Sequence, residues 1–261
     1  MSRIIAVAIP KGGVGKTTTA VNLAFAFAAS NKKCLLVDVD PAGSCSSSLG
    51  FNCENINGDI FNVLGFSKSI RQVIHKTGNP LVDLIPLNNL TYEDEVRLTR
   101  LSKNEQLLSN VLRPEVINYD YTIVDCPPYL IGTTTSTLIA ADSVIIPITA
   151  GQFALSAIDK VIDHIHTIKR MYNYRLKVEG ILLTSYEYNT KASFKTKKEL
   201  FEKYPDLVFR TSIPKSTKVN EASFLRQPII VFDPECKVSV AYKNLAREIM
   251  TDRLLIGNDC F

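Results

Sequence analysis

Short runs of apolar residues recur along the chain and are separated by segments with helical patterning. The first run is Ile4 to Ile9, and further runs of strand length stand at residues 33–37, 81–85, 121–124, 144–148 and 178–183. Continuous apolar runs of this length are typical of strands buried on both faces. Between them, an alanine-rich stretch at 18–30 and apolar residues at three-and-four spacing over 154–168 predict helices. The pattern predicts an α/β fold: a mainly parallel, twisted sheet with helices on both faces.

The length and composition predict a single domain. The chain has 261 residues, of which 46% are hydrophobic, and no segment resembles a linker. We expect one domain over residues 1–261, with a C-terminal tail at 251–261. The apolar run at the amino end is too short for a signal peptide and no run reaches about 18 apolar residues, so we expect a cytoplasmic protein.

The cysteines and histidines give no metal-binding pattern. The six cysteines contain no Cys-x-x-Cys pair, which fits reduced thiols. His164 and His166 lie two apart on a predicted helix, where their side chains point in different directions.

A glycine-rich loop, KGGVGKTT at 11–18, joins the first apolar run to the alanine-rich helix. Gly12, Gly13 and Gly15 let backbone N–H groups turn towards phosphate oxygens at the start of a helix, and Lys16 adds a positive charge. The usual pattern has a further glycine where this chain has Pro10, and ordinary phosphate loops lack a lysine at the place of Lys11. The loop therefore predicts a variant nucleotide-phosphate site.

Aspartates stand at the ends of two predicted strands. Asp38 and Asp40 follow the second apolar run, and Asp125 follows the run at 121–124. Ligands of open parallel sheets bind beyond the carboxyl ends of the strands, where these side chains would meet the phosphate loop. Carboxylates beside a phosphate loop predict the handling of Mg²⁺ and water.

Taken in order along the chain, these motifs resemble the ParA-type partition ATPases, P-loop NTPases of the deviant Walker-A class that also contains the MinD-type division-site regulators. The resemblance covers the chain almost from end to end. It rests on KGGVGKTT at 11–18, LLVDVDPAGS at 35–44, YTIVDCPP at 121–128, VIIPITAGQFAL at 144–155, SIPKSTKVNEA at 212–222 and QPIIVFDP at 227–234.

The resemblance implies a slow, Mg²⁺-dependent ATPase whose two subunits sandwich ATP in a homodimer. Lys11 would cross to the partner's phosphates, Lys16 would hold its own nucleotide, and Asp40 would orient the attacking water. Thr17 would ligate Mg²⁺, Asp125 would reach it through water, and Asp38 would support the segment. The implied ATP and ADP contacts are Lys11, Gly12, Gly13, Val14, Gly15, Lys16, Thr17, Thr18, Asp125 and Pro214, the last beside the base.

The resemblance also implies that the dimer binds double-stranded DNA without sequence preference, associates with the nucleoid and is stimulated by a ParB-type centromere-binding partner. Residues 169–253 carry 17 Lys and Arg against 10 Asp and Glu, which fits a basic surface. The family uses an upstream arginine where this chain has Asn189. We expect the DNA contacts, in order of weight, from Lys218, Lys215, and then Lys191, Lys195 and Lys198.

Other departures from the family are Ala42, Ser44 and the pair Gly151-Gln152, which stand where glutamine, asparagine and a more acidic segment are common. They could change the response to a partner, and they leave Lys16 and Asp125 in place.

Three alternatives stay open. A MinD-like membrane ATPase would need a basic amphipathic C-terminal helix, whereas residues 251–261 carry one arginine and two aspartates, so we expect no stable membrane binding. A redox enzyme would need a companion for Cys126, and a carboxylate ligase would need a substrate pocket. A scaffold that positions a cargo other than DNA fits the same ATPase motifs.

Overall fold

The computed structural model describes residues 2–52, 55–88, 90–151 and 154–256. The strands are β1 (Arg3–Val7), β2 (Cys34–Asp38), β3 (His75–Lys76), β4 (Val82–Ile85), β5 (Tyr121–Asp125), β6 (Ser143–Thr149) and β7 (Lys177–Thr184). The helices are α1 (Lys16–Ala29), α2 (Ser44–Ser48), α3 (Ile60–Leu64), α4 (Tyr92–Leu101), α5 (Leu107–Leu112), α6 (Thr133–Ala140), α7 (Ala154–Met171), α8 (Lys191–Lys203), α9 (Lys218–Phe224), α10 (Ile229–Phe232) and α11 (Lys237–Ile256).

The described strands form one seven-stranded sheet in the order β3-β4-β2-β5-β1-β6-β7. Strand β3 pairs antiparallel with β4, and the other neighbouring strands pair in parallel. The predicted α/β architecture is confirmed. The two-residue strand β3 was not predicted, because two residues are too few to show a period.

Both faces of the sheet are covered. Along β1, Ile4 and Ala6 belong to one hydrophobic cluster, while Ile5 and Val7 belong to the other. This alternation puts α7 on one face and α1, α10 and α11 on the other, and it explains why the strands are apolar throughout.

The helix bounds differ from the sequence prediction at the carboxyl end. The prediction ended the last helix at Met250 and assigned 251–261 to a tail, whereas α11 continues to Ile256. Residues 257–261 lie outside the described part of the chain. The last helix is therefore six residues longer than predicted, and the assignment of 251–261 as a C-terminal tail stays a prediction.

Strand β7 passes very close to a buried ring. A Cβ atom built on Gly180 would lie 2.4 Å from Cε2 of Phe209, well inside any normal contact distance. Phe209 is buried, and its backbone N–H bonds to the carbonyl of Ile181 on the same strand. The ring therefore occupies the space that any larger residue at position 180 would need.

We expect Gly180→Ala to lower the free energy of unfolding by about 2 kcal/mol, because the added methyl forces Phe209 out of its packed position. Urea denaturation measures the change. Gly78→Ala is the matched control: a Cβ there meets no atom within 4 Å, and we expect a change of less than about 0.5 kcal/mol. Equal stability of the two variants would contradict the packing argument.

Candidate functional site

The glycine-rich loop joins the carboxyl end of β1 to the start of α1, as predicted. Gly13 and Gly15 have φ values of 71° and 80°, a region that side chains disfavour, so glycine is required at both positions. Gly12 has no such backbone constraint, and a Cβ there would meet no atom within 4 Å. Within the described residues, nothing in the packing around position 12 requires a glycine.

Lys16 is the first residue of α1 and is held inside the loop. Its side chain is buried, and its Nζ donates to the carbonyl oxygen of Lys11 at 2.9 Å. Burial lowers the pKa of Lys16, while the negative charges of Asp125 and Asp40 oppose that shift. An ammonium group in this position is oriented before any phosphate arrives.

Two of the predicted aspartates meet at the carboxyl edge of the sheet. Asp38 on β2 and Asp125 on β5 are paired in register, and both are fully buried. Thr17 Oγ1 donates to Asp125 Oδ2 at 2.6 Å. The structure therefore brings Thr17, Asp38 and Asp125 together, while their part in binding Mg²⁺ stays a prediction.

Asp38 organises the segment that follows β2. Its two carboxylate oxygens accept the backbone N–H groups of Asp40 at 3.0 Å and Cys45 at 2.9 Å. Asp40, which is half-buried, in turn accepts the N–H of Ala42 at 3.1 Å. Ala42 is exposed, and Ser44 begins α2, so both departures lie on this segment. Asp40 is thereby held beside the loop.

The residues present fit a magnesium ion. Asp125 Oδ1 is buried and has no hydrogen-bond partner among the described residues. Burial raises the pKa of Asp125 to about 7, and burial together with the charge of Asp125 raises the pKa of Asp38 well above its usual value. The charge of Lys16 lowers the pKa of Asp125 but does not outweigh the effect of burial, and a hard divalent cation with its water shell would add the missing positive charge.

Cys45 belongs to this site, and the sequence analysis did not identify it. Its thiol is buried and donates to Asp125 Oδ2 at 3.5 Å. Burial and the neighbouring carboxylates raise the pKa of Cys45 well above its usual value, so the thiol stays protonated. With Asp38 and Asp125 it forms the one cluster of potential metal ligands found in the described ranges, with ligand atoms within 4.8 Å of one another.

A cavity of about 250 Å³ opens beside the loop. Gly15 and Thr18 contribute the loop side, and Pro214 lies in its wall, where the sequence analysis expected the base. The other walls come from three further parts of the chain. They are Thr184, Ser185, Ile213, Lys215, Ser216, Thr217, Val219, Asn220 and Tyr242.

A hydrogen bond from the hydroxyl of Thr184 connects the cavity wall to the phosphate loop. Thr184 Oγ1, at the end of β7, donates to the carbonyl of Val14 at 2.8 Å. Tyr242 comes from α11 and is fully buried, and its hydroxyl lies 3.4 Å from Thr19 Oγ1 on α1. Sequence reasoning missed Thr184, Asn220 and Tyr242, because residues far along the chain give no local signal.

The predicted DNA-contacting lysines lie on two elements. Lys191, Lys195 and Lys198 are exposed on α8, while Lys215 precedes α9 and Lys218 begins it. Four of the five are near a carboxylate. The Nζ–O distances are 3.8 Å for Lys195–Glu199, 3.7 Å for Lys198–Glu202, 2.8 Å for Lys215–Glu187 and 2.5 Å for Lys218–Asp233.

The other residues considered in the sequence have the following positions and partners. Asn189 is exposed in the turn before α8, and Gln152 lies outside the described residues. His164 Nε2 lies 3.1 Å from Thr135 Oγ1, so the ring has a protein partner on α6. Cys34, Cys45, Cys126 and Cys236 are free thiols, whereas Cys53 and Cys260 lie outside the described ranges. Within those ranges, no helix combines the length and hydrophobicity that crossing a bilayer requires.

Comparison with known proteins gives consistent matches. Residues 2–178 match the family model described as an AAA domain. The chain is 36% identical to the chromosome partitioning protein ParA of Myxococcus xanthus, over 96% of this chain and 88% of that protein.

Two solved structures share both fold and sequence similarity at 27% identity. One is a putative plasmid partition protein from Borrelia burgdorferi bound to AMPPNP, with a TM-score of 0.79 over 97% of this chain and 100% of that one. The other is cobyrinic acid a,c-diamide synthase from Mycobacterium smegmatis with bound ADP and magnesium, with a TM-score of 0.80 over 95% and 93%.

Proposed function

This chain belongs to the ParA family of partitioning proteins, within the ParA/MinD superfamily of P-loop ATPases, and we propose that it is a Mg²⁺-dependent ATPase that works as a nucleotide-controlled dimeric switch. The observation that carries the proposal is that the charge of Lys16 acts on Asp125, which is hydrogen-bonded to Thr17 and paired in register with Asp38 at one edge of the sheet. A diphosphate group binds between the loop amides and Lys16, and the base enters the cavity beside Pro214.

Each residue has a distinct part in hydrolysis. Lys16 neutralises charge on the β- and γ-phosphates, and the loop amides that follow the glycines orient them. Thr17 and, through water, Asp125 would hold Mg²⁺, with Asp38 fixing the segment beside them. At this place Mg²⁺ would supply positive charge that neutralises the phosphate oxygens. Asp40 positions the attacking water, because phosphoryl transfer depends on alignment and charge neutralisation.

Lys11 supplies the link to a second subunit. It is partly exposed at the start of the loop, whereas Lys16 is buried within it. In the proposed dimer the ammonium group of Lys11 reaches the nucleotide of the partner, so that intact ATP holds the two copies together. Hydrolysis removes that attraction, and the dimer separates.

We further propose that the ATP-bound dimer binds double-stranded DNA without sequence preference and segregates a chromosome or plasmid together with a ParB-type partner that stimulates hydrolysis. Lys215 lines the base cavity and lies three residues before Lys218, which we expect to contact DNA. This position supports the proposal that nucleotide binding and DNA binding are coupled. The protein would then act in the cytoplasm on the nucleoid.

The test of the proposed function combines sizing with DNA binding. Light scattering should give a monomer with ADP and a dimer with Mg²⁺ and a nonhydrolysable ATP analogue. We expect the dimer to bind DNA and to lose at least about tenfold in affinity between about 50 and about 200 mM salt, because binding releases counterions from phosphates. A monomer in both nucleotide states would contradict the switch.

Binding to liposomes in place of DNA would support the MinD-like alternative. Absence of DNA and lipid binding with an intact ATP-dependent dimer would support a different cargo.

A further inference from the structure

A second cavity, of about 290 Å³, opens beside the segment that follows β2, and the proposed nucleotide contacts leave it unused. Its walls come from three parts of the chain: Pro41, which directly follows Asp40; the loop after β5 with the start of α6; and α4. Strands β2 and β5 end in Asp38 and Asp125. Two walls of the cavity are therefore continuous with the segments that carry the carboxylates of the phosphate site.

The α4 wall is one stripe of that helix. Leu98 and Ser102 are buried, while Glu95 and Thr99 are exposed, so the stripe runs from the interior to the mouth of the cavity. At about 100° per residue, Arg97 and Arg100 lie on the opposite side of α4. The lining residues of α4 are spaced i, i+3, i+4 and i+7, namely Glu95, Leu98, Thr99 and Ser102.

The mouth of the cavity is negatively charged. Glu95 is the one charged residue among the described residues that line it, and its carboxylate forms no ion pair with a described residue. Burial raises the pKa of Tyr129 in the opposite wall, and the charges of Asp40 and Glu95 raise it further. Tyr129 thus lies near two carboxylates. A cation that arrived at this mouth would be attracted by both.

The loop after β5 presents apolar side chains from a fixed backbone. Ile131 is 76% exposed, and Tyr129 is also exposed. Hydroxyl groups of α6 hold the loop, because Thr134 donates to the carbonyl of Tyr129 at 2.7 Å and Thr135 donates to that of Leu130 at 2.8 Å. An isoleucine presented in this way can bind another protein without the cost of first ordering its backbone.

The cavity has room for one large apolar side chain. An apolar cavity of about 150 Å³ holds a benzene molecule, so this volume accommodates a leucine or phenylalanine side chain. The hydroxyls of Thr99 and Ser102 are already engaged, since they donate to the carbonyls of Glu95 at 2.9 Å and Leu98 at 2.8 Å. An apolar anchor in a pocket with a charge at its rim is typical of protein–protein recognition.

From this geometry we propose that the cavity receives one apolar side chain of the partner protein that stimulates hydrolysis, with a lysine or arginine of the same segment beside Glu95. The inference rests on the ATPase and the stimulating partner proposed above. Because Pro41 is bonded to Asp40, an occupied cavity restricts the segment that carries the water-positioning carboxylate. Occupancy therefore favours the arrangement in which Asp40 is aligned, and hydrolysis becomes faster.

The decisive variant is Glu95→Gln with Ile131→Ser, which removes the charge at the mouth and the exposed apolar side chain. Phosphate release with Mg²⁺ and ATP is measured against the concentration of the ParB-type partner, relative to the rate without partner. We expect the concentration for half-maximal stimulation to rise about tenfold.

Glu93→Gln with Ile117→Ser is the matched control. It makes the same two changes at Glu93, on the opposite side of α4, and at Ile117, which is 63% exposed and outside the cavity lining. We expect it to respond to the partner within about twofold of the wild type, because substitutions at exposed positions away from a binding site have small effects.

A second experiment needs no partner. Thr99→Cys is labelled with benzyl methanethiosulfonate, which attaches a benzyl group beside the cavity through a disulfide. We expect ATP hydrolysis at least about threefold faster than after labelling with methyl methanethiosulfonate, because the benzyl group fills the cavity. Equal rates with the two labels would overturn the link between occupancy and Asp40.

Thr167→Cys on α7 controls for the label itself. The hydroxyls of Thr99 and Thr167 both donate to the carbonyl four residues earlier, so the two substitutions remove the same hydrogen bond from a helix. Labels at position 167 should leave hydrolysis unchanged. Wild type treated with both reagents accounts for the native thiols.

The outcomes separate this inference from the proposed function. If the wild type dimerises and hydrolyses ATP but a ParB-type partner does not stimulate it, the partner part of the proposed function and this inference are overturned together. If the partner stimulates Glu95→Gln with Ile131→Ser as it does the matched control, only the cavity assignment is overturned.

Two further results would replace the partner with another occupant. If Glu95→Gln with Ile131→Ser stays monomeric with a nonhydrolysable ATP analogue while the matched control forms dimers, the cavity holds a second copy of this chain. If native mass spectrometry finds a small molecule bound to the wild type and absent from the variant, the cavity is a metabolite pocket. Either result overturns the partner assignment.

Discussion

Asp40→Ala is expected to retain ATP binding, to hydrolyse ATP at least about 100-fold more slowly than the wild type, and to accumulate as a dimer. The backbone N–H of Asp40 donates to Asp38, and the Asp40 carboxylate accepts the N–H of Ala42. These two hydrogen bonds hold the carboxylate beside the phosphate loop. Removing it takes away the group that aligns water but leaves Lys16 and Thr17 untouched. Phosphate release and light scattering with Mg²⁺ and ATP measure the two effects.

Asp40→Asn separates the role of this side chain in hydrolysis from its role in holding the turn at 40–43. An amide oxygen can still accept the N–H of Ala42, so the turn at 40–43 persists, while the negative charge is lost. We expect Asp40→Asn to be slow as well. Hydrolysis at the wild-type rate in either variant would show that Asp40 does not position the water.

Substitutions of the two loop lysines are expected to affect different properties, namely ATP binding for Lys16 and dimer formation for Lys11. Lys16→Gln should weaken ATP binding about 100-fold, which corresponds to about 2.8 kcal/mol, because it removes a buried, pre-oriented ammonium group from the phosphates. Lys11→Gln should bind ATP within about threefold of the wild type, because the side chain contacts only the partner's nucleotide in the proposed dimer. It should nevertheless remain monomeric.

Each lysine variant serves as the control for the other, since both lose one positive charge from the same loop. Nucleotide binding by fluorescence and sizing with a nonhydrolysable analogue distinguish them. A Lys11→Gln protein that forms dimers as the wild type does would contradict the shared-nucleotide arrangement, whatever the result for Lys16.

Local patterns in the sequence were enough to predict the phosphate loop and the sheet. The apolar runs marked the strands because both faces are covered, and the aspartates Asp38 and Asp125 followed two of those runs. Parallel strands bring their carboxyl ends together, so the meeting of these carboxylates followed from the fold class alone.

The rest of the site depends on contacts between distant parts of the chain. Cys45 reaches Asp125 across 80 residues, and Tyr242 reaches Thr19 across 223. The ion pairs of Lys215 and Lys218 likewise link separate elements, so the sequence indicated a basic region without showing which charges are already compensated. Those facts come from packing geometry, for which a single sequence carries no local signal.

The enclosure of α1 decides which walls of the site can respond to a ligand. Every residue from Thr19 to Ala28 is buried between the sheet and the helices α10 and α11, so the helix that carries Lys16 cannot shift without disturbing the hydrophobic cluster on that face of the sheet. Adaptation to the third phosphate must then fall on the more exposed segments after β2 and around Pro214. Amide hydrogen exchange should accordingly be slow along α1 in every nucleotide state and change in those two segments.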